Sequence, residues 1–355
     1  MKGLVRQGSG TGDRLQLSDV ERPLITDDRV LVRVRAASVN AADWHTFNGG
    51  RMVSASAWAM RTPVPPIRGT DLAGVVEAAG KNVARFKPGD EVFGSGLGSF
   101  AEYALAKEDR LAWKPAQLSF AEAACLPIAG VTALQGLRDK AHVQPGQRVL
   151  VYGAGGGVGT FAVQVAAALG ASVTAVTSTR NLEIVQSLGA AEVIDYTSDD
   201  VTRRNQRYDV IFDVAAVSPL GDLARILESG GTLVLAGAAK GGMLDILGRL
   251  AGAQLRSRFR GQHVLSFLAH ITHEDLEALA QLARAGKLRP AIDREYPLVD
   301  AGEAIRYLGS GQGACEGRDY RQLNPASGAL PGFSRVLARS SQELACARPC
   351  KDELL

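Results

Sequence analysis

The pattern of apolar and polar positions changes near residue 125. Before that point, apolar residues alternate with polar ones in short segments separated by glycine and proline, which is typical of half-buried β-strands. The predicted strands are 29–35, 74–80 and 91–94. This part of the sequence predicts a β-rich, barrel-like domain.

Beyond residue 125, continuous apolar strands alternate with helical patterns. This alternation predicts a parallel sheet that is covered by helices on both faces. The predicted strands are 148–152, 172–177, 192–196, 208–214 and 231–236, and the predicted helices are 128–139, 158–169, 181–188 and 220–227. The expected fold class is therefore α/β, with a β-rich domain joined to a doubly wound parallel sheet.

The last hundred residues contain two different kinds of pattern. A helix at 273–285, edge strands at 288–292 and 294–298 and a helix at 301–308 could complete the first domain. After Gly309, glycine, serine, arginine, proline and cysteine become common and apolar periodicity weakens. We therefore divide the chain into a β-rich part (1–125), a dinucleotide-binding domain (126–262), a return to the first domain (263–310) and an atypical, poorly ordered tail without a further strand (311–355).

Composition narrows the possible functions. The 355 residues are 46% hydrophobic and 22% charged, with a net charge of +3, which is typical of a globular protein of two domains. The sequence has no basic stripe for nucleic acid and no apolar run of about 18 residues that could span a membrane. It also begins without the apolar core of a signal peptide, so we expect a cytoplasmic protein.

A glycine-rich loop, Gly153-Ala154-Gly155-Gly156-Gly157-Val158-Gly159, lies between a predicted strand and a predicted helix. Glycines allow the backbone to approach a pyrophosphate, and the helix N-terminus attracts its negative charge. The best frame for the motif has Ala154, Gly156 and Gly159 at its fixed positions. The alternative is a glycine-rich turn without a ligand.

The strand after this loop ends in Ser178, Thr179 and Arg180, without an acidic residue. A carboxylate at that position would favour NAD by binding the ribose hydroxyls. A hydroxyl and a guanidinium instead suit the 2′-phosphate of NADP. We therefore predict NADPH as the cofactor, unless Arg180 is only a solvated residue at the start of a helix.

The sequence does not favour a metal site. A catalytic zinc takes three protein ligands from cysteine, histidine and carboxylates, and the β-rich part has one cysteine, near its end, and one histidine. Asp43, His45 and Asp71 could in principle form a metal site, but that site would contain no cysteine. We expect no metal.

These residues resemble the medium-chain dehydrogenase/reductase superfamily, in its zinc-free NADPH:quinone oxidoreductase-like branch. The resemblance spans about residues 1–310, and the matching segments are AASVNAAD (36–43), GTDLAGVV (69–76), FKPGDEVFG (86–94), GSFAEY (98–103), LPIAGVTALQ (126–135), the glycine-rich loop and AAEVIDY (190–196). Zinc-binding members have a cysteine at the position of Asn40 and a His-Glu pair near Thr70 and Asp71. This chain has neither.

The resemblance implies a GroES-like β-rich domain packed on a Rossmann domain, with the nicotinamide in the cleft between them. It implies that Asn40 lies beside the nicotinamide, that Thr132 lies near the cofactor, and that Ser178, Arg180 and Tyr196 hold the 2′-phosphate and adenine end. With the loop residues Ala154, Gly156, Gly157, Val158 and Gly159, these make up the expected cofactor site. The resemblance also implies a homodimer.

After residue 308 the chain departs from its relatives, which continue into a final apolar strand, and we interpret the tail as an altered reading frame or a replaced C-terminus.

The expected reaction is NADPH-dependent, zinc-independent hydride transfer to a quinone or an α,β-unsaturated carbonyl. The carbonyl oxygen gains negative charge, so a nearby donor stabilises it. Asn40 is the first candidate and His45 the second, as a donor or proton source, although His45 could equally be a packed or surface histidine. Pocket side chains are expected from loops near 45–60 and 240–265. Two alternatives remain: an alcohol or aldehyde dehydrogenase-like oxidoreductase, and an NADPH-binding protein without turnover.

Overall fold

The computed structural model describes residues 1–6, 15–47, 67–236, 261–309 and 334–338. Within these ranges, the β-rich part contains a two-stranded antiparallel sheet and most of a six-stranded sheet. Its strands are β1 (Lys2–Arg6), β2 (Leu15–Asp19), β3 (Arg29–Val39), β4 (Asp71–Ala79), β5 (Glu91–Leu97) and β6 (Tyr103–Trp113). A short helix, α1 (Ala41–Phe47), follows β3.

The long strand β3 closes this sheet into a barrel. Its first half pairs with both β4 and β6 in antiparallel register, so that β3, β4, β5 and β6 form a closed circuit. The pattern that predicted β3 from 29 to 35 stopped four residues early. Residues 36–39 are all buried, because this half of the strand has neighbours on both faces.

The second domain is built on a parallel sheet. Within the described residues the strand order is β12-β11-β10-β7-β8-β9, which is the order of a Rossmann sheet. Successive strands are added on one side of β7 up to β9, and the chain then crosses to the other side of β7 to add β10, so the strand order reverses between β7 and β10. The strands are β7 (Arg148–Tyr152), β8 (Ser172–Thr177), β9 (Glu192–Asp195), β10 (Tyr208–Asp213), β11 (Leu227–Leu235) and β12 (His263–Ser266). The expected combination of a β-rich domain and a doubly wound sheet is confirmed.

Helices cover both faces of this sheet and connect it to the barrel. A helical run begins with α2 (Phe120–Ala124) and continues through a π-helical turn (Leu126–Gly130), α3 (Val131–Leu134) and a second π-helical turn (Gln135–Lys140). A capping box starts α2: the side chains of Ser119 and Glu122 each accept the backbone N–H of the other residue. The remaining described α-helices are α4 (Gly157–Ala168), α5 (Leu182–Ser187), α6 (Leu220–Ile226), α7 (His273–Arg284) and α8 (Ala301–Gly309). Among the described residues, none of the helices combines the length and apolar character needed to cross a bilayer.

The expectation that no strand follows residue 311 was wrong. Strand β13 (Ile292–Pro297) pairs in parallel with β14 (Ser334–Ala338), and β14 pairs in antiparallel register with the second half of β3. A strand therefore lies inside the barrel sheet, within the segment that we interpreted as an abnormal tail. The Ser-Arg-Val-Leu-Ala sequence is short, and its partners lie far away along the chain, so local periodicity did not reveal it.

The two domains share one hydrophobic core. Ala36, Ala73 and Phe93 of the barrel pack in the same buried cluster as Leu126 and Phe161 of the second domain. A separate cluster fills the barrel, and a third fills the opposite face of the parallel sheet. The continuous core keeps the end of β3 in a fixed position relative to the helical run after residue 120.

Candidate active site

The glycine-rich loop lies at the carboxyl end of β7, where the strand order reverses. Gly153 has a φ of 92°, which favours glycine, and Gly156 is the extended residue that precedes α4. The first N–H groups of a helix have no partner within it and carry partial positive charge. The loop therefore has the geometry of a diphosphate cradle.

Different glycines of the loop have different physical roles. A Cβ on Gly159 would lie 2.1 Å from the carbonyl oxygen of Gly153, so this position is glycine because α4 packs directly against the loop. A Cβ on Gly156 would meet only that same oxygen, at 3.5 Å. Gly156 thus faces space into which a ligand can come close to the backbone.

The predicted adenosine-end residues come together at the ends of β8 and β9. Ser178 is 8% exposed, Arg180 is exposed and Tyr196 is half-buried. The backbone N–H of Tyr196 donates to the carbonyl of Thr177 at 3.0 Å, which brings Tyr196 beside the start of the Ser178–Arg180 segment. A buried hydroxyl, an exposed guanidinium and an aromatic ring thus lie at one sheet edge.

Two polar residues beside the loop were missed by sequence reasoning. Asn181 is 3% exposed, and its Nδ2 donates to Ser178 Oγ at 3.4 Å. Thr177 Oγ1 is buried without a hydrogen-bond partner among the described residues. A Cβ on Gly155 would lie within 2.5 Å of both side chains, so they form one wall of the cradle. The Thr-Ser-Thr-Arg-Asn run after an apolar strand was the available signal.

Asn40 stands at the junction of β3 and α1 and is held at two points. Its backbone N–H donates to Asp43 Oδ2 at 2.8 Å, and the N–H of Asp43 donates back to the carbonyl of Asn40 at 2.9 Å. Its side-chain Nδ2 donates to Asp71 Oδ2 at 3.0 Å. Asp43 thus fixes the turn, and Asp71 fixes the side-chain amide.

A chain of hydrogen bonds joins Asn40 to Thr132 across the domain boundary. Asp71 Oδ2 also accepts the backbone N–H of Ile128 at 3.0 Å. The hydroxyl of Thr132 donates to the carbonyl of Ile128 at 2.7 Å. Two residues that the resemblance places near the cofactor therefore lie at the two ends of one connected network.

Both carboxyl groups beside Asn40 have raised pKa values. Burial raises the pKa of Asp43 to about 7, against the opposing effects of the Asn40 N–H and the charge of Arg68. Burial also raises the pKa of Asp71 well above its ordinary value, with the N–H groups of Ile128 and Asn40 opposing and the charge of Asp43 adding. Burial thus disfavours the charged form of Asp71, and the two N–H donors compensate for only part of that cost.

His45 lies within α1, but its side chain is outside the part of the chain that the structure describes. The expected pocket segments near 45–60 and 240–265 also fall mostly outside the described residues.

His273, which we did not assign to the site, has Nδ1 within 2.7 Å of the carbonyl of Leu111 and packs edge-on to Trp113.

Comparisons with known proteins agree with this geometry. A family model described as "Alcohol dehydrogenase GroES-like domain" matches residues 26–116, and one described as "Zinc-binding dehydrogenase" matches residues 188–314. The 2-methylene-furan-3-one reductase of Solanum lycopersicum is 35% identical over 318 residues, which cover 85% of this chain and 74% of the relative. The chain belongs to the zinc-free, quinone oxidoreductase-like branch of the medium-chain dehydrogenase/reductase superfamily.

Two further comparisons support this membership. The chloroplastic NADPH-dependent alkenal/one oxidoreductase of Arabidopsis thaliana is 33% identical over 323 residues, which cover 87% of this chain and 76% of the relative. The structure of the quinone oxidoreductase from Coxiella burnetii superposes with a TM-score of 0.79, at 26% identity, over 96% of this chain and 99% of that one. The protein is thus an oxidoreductase that binds a nicotinamide cofactor and acts on a small molecule.

The described side chains do not fit the zinc named in one of the family models. No three histidine, cysteine, aspartate or glutamate side chains converge anywhere in the described ranges, whereas a catalytic zinc takes three such ligands. Cys125 is buried, and its thiol donates to the carbonyl of Ala121 at 3.3 Å. Asp43 and Asp71 are instead engaged with Asn40 and Ile128.

Proposed function

We propose that this oxidoreductase uses NADPH, without zinc, to reduce quinones or α,β-unsaturated carbonyl compounds. The observation that carries the proposal is a neutral amide, Asn40, fixed by two buried carboxyl groups at the end of β3. The names of the tomato, Arabidopsis and Coxiella relatives, all reductases or oxidoreductases of enones, alkenals or quinones, point to the same substrate class.

The choice of NADPH rests on the end of β8. Ser178 and Arg180 offer a hydroxyl and a guanidinium to a 2′-phosphate, and β8 ends without an acidic residue. The loop residues Ala154, Gly156, Gly157, Val158 and Gly159 would hold the diphosphate, and Tyr196 would contact the adenine end. Thr132 and Asn40 would face the nicotinamide end.

When bound, NADPH supplies a hydride which, with one proton, converts a quinone to the hydroquinone or an enone to the saturated carbonyl. Among the described residues, one side-chain N–H of Asn40 donates to Asp71, and the other would donate to a ligand. That N–H would stabilise the negative charge that develops on the carbonyl oxygen. His45 would supply the proton, as a group that titrates near neutral pH.

The test is NADPH consumption with a panel of quinones and alkenals, with and without a chelator, and with NADH in parallel. We expect chelator-insensitive turnover and a preference for NADPH. Chelator-sensitive oxidation of alcohols would support a dehydrogenase instead. Saturable NADPH binding with no turnover of any acceptor would support a binding protein without catalysis.

Three further expectations belong to this proposal. The chain would divide at 125 and 262 as the sequence predicts, with β14 added to the barrel domain. The protein would form a homodimer in the cytoplasm. Sedimentation of the purified protein tests the oligomeric state directly.

A further inference from the structure

Asp71 is the first residue of β4 and is fully buried. One of its carboxyl oxygens, Oδ2, accepts two hydrogen bonds, from Asn40 Nδ2 and from the backbone N–H of Ile128, both at 3.0 Å. Its other oxygen, Oδ1, is buried and has no partner among the described residues. Within the described residues, the carboxyl group therefore forms hydrogen bonds through only one of its two oxygens.

Such an arrangement contributes poorly to stability. A buried carboxyl group is costly unless all of its oxygens are hydrogen-bonded, and a well-packed apolar side chain is often as stable as a buried charged one. The next residues of β4, Leu72 and Ala73, are buried apolar residues that need no polar neighbour. Asp71 instead fixes the relative positions of two segments, since its two hydrogen bonds link the end of β3 to the helical run of the second domain.

The bond to Asn40 selects one of two orientations of the Asn40 amide. An amide group has a donor end and an acceptor end, and Oδ2 of Asp71, which already accepts from Ile128, takes the nitrogen end. The carbonyl oxygen of Asn40 is then turned away from Asp71, and the second N–H remains for a ligand. Without Asp71 the amide could rotate and exchange its two ends.

We propose that Asp71 is a positioning residue that fixes the orientation of the Asn40 amide for hydride transfer and keeps Asn40 in register with the Ile128–Thr132 turn. This inference rests on the proposed function, because it assigns Asn40 a role beside the nicotinamide. Asp71 acts through Asn40 and, being fully buried, does not itself contact the substrate.

The experiment is a double-mutant cycle. Asp71→Leu removes the acceptor and keeps a similar size, and it is made both in the wild-type protein and in Asn40→Ala. We expect Asp71→Leu to lower kcat by on the order of 10²-fold in the wild-type background, as small misplacements of reacting groups do, with NADPH affinity changed less than about threefold. In Asn40→Ala the same substitution is expected to lower kcat by less than about threefold. Equal losses in the two backgrounds would overturn the proposal.

Two further variants separate positioning from folding. Asp71→Asn keeps a carbonyl oxygen acceptor and is expected to recover at least about tenfold of the kcat lost in Asp71→Leu. If Asp71→Leu fails to fold, Asp71→Ala, which also removes the acceptor, replaces it in the cycle, and additivity with Asn40→Ala still counts against the proposal. Asp275→Asn is the matched control, because Asp275 is also a buried carboxylate but bonds to Gln135, Arg138 and Thr272. Its effect is expected to be the same in both backgrounds.

A second measurement distinguishes failure of this inference from failure of the proposed function. The fluorescence of bound NADPH reports the surroundings of the nicotinamide and needs no acceptor. If the wild-type protein turns over no acceptor, the proposed function is wrong. A non-additive fluorescence change in the same cycle would still support the positioning of Asn40 by Asp71, and an additive change would contradict it.

Discussion

Thr179 donates a 2.5 Å hydrogen bond from its hydroxyl to the carboxylate of Asp195, and so joins the ends of β8 and β9. The backbone N–H and the hydroxyl of Thr197 donate to the other oxygen of the same carboxylate, at 2.9 and 2.7 Å. Partial burial acts to raise the pKa of Asp195, but the hydrogen bonds from both threonines outweigh it and lower the pKa. This acid is therefore already engaged, and the proposed function assigns the cofactor phosphate to Ser178 and Arg180.

The first prediction concerns cofactor choice. Arg180→Ala is expected to weaken NADPH binding by about one to two orders of magnitude, because a hydrogen bond to a charged group contributes roughly 1.5–3 kcal/mol. NADH lacks the 2′-phosphate, so its affinity should not change. Both dissociation constants are measured by fluorescence titration. Arg203→Ala is the control, since Arg203 is an exposed arginine paired with Asp200 at 3.3 Å. Equal weakening of both cofactors by Arg180→Ala would contradict the prediction.

The second prediction separates two glycines of the loop. Gly156→Ala should leave the melting temperature almost unchanged, since its Cβ meets only one atom, at 3.5 Å. It should weaken binding of both cofactors by about tenfold or more, or roughly 1.4 kcal/mol, because the methyl group keeps the diphosphate from the backbone. Gly159→Ala should lower stability by about 1–3 kcal/mol, the usual effect of overpacking. Thermal melting and cofactor titration of both variants test this, and loss of stability in Gly156→Ala would show that the assignment is reversed.

Much of the fold follows from local patterns. Strands β7 and β8 have the predicted bounds, and α4 begins one residue before the prediction, because continuous apolar strands and glycine turns are local signals. The four residues of β12 were missed because a short edge strand has too few positions to show a period. β14 was missed because its pairing with β3 joins residues about 300 positions apart.

In the candidate site too, contiguous segments could be recognised in the sequence, whereas contacts between distant residues could not. The loop and the Ser178–Arg180 segment could be predicted, since each is contiguous in sequence. From the sequence, the one role considered for the Asp71 side chain was that of a conceivable zinc ligand. Its bonds to Asn40 and Ile128 span 31 and 57 residues, and only the packing of the barrel against the helical run brings these groups together. Long-range hydrogen bonds of this kind have no signature in a single sequence.

The third prediction concerns the dependence of stability on pH. The pKa of Asp43 rises from 3.8 to about 7 on folding, so between these values the folded protein holds a proton that the unfolded chain has released. This group therefore lowers the free energy of unfolding as the pH rises from about 4 to about 7, and its penalty is fully present above that range. Asp43→Asn removes the titration and keeps an acceptor for the Asn40 N–H.

The variant should consequently gain stability relative to the wild type as the pH rises through that range, by up to a few kcal/mol at about 1.4 kcal/mol per pKa unit. Urea denaturation at several pH values measures the difference. Asp27→Asn, at an exposed aspartate bonded to Lys81 at 2.8 Å, is the control. A difference between Asp43→Asn and the wild type that does not vary with pH would contradict the assignment.

The fourth prediction tests β14, which lies between β3 and β13 in the barrel sheet. Truncation after residue 333 removes the strand, leaves hydrogen-bonding groups of both neighbours without partners and creates two open edges, which favours aggregation. Each lost ladder bond contributes about 1 kcal/mol, and 1 kcal/mol corresponds to about 2–4 °C in a domain of this size. We therefore expect a loss of more than about 5 °C in melting temperature, or insoluble protein. Truncation after residue 338 keeps every strand that the structure describes and is the matched control. If the two truncated proteins melt at the same temperature, residues 334–338 do not stabilise the barrel.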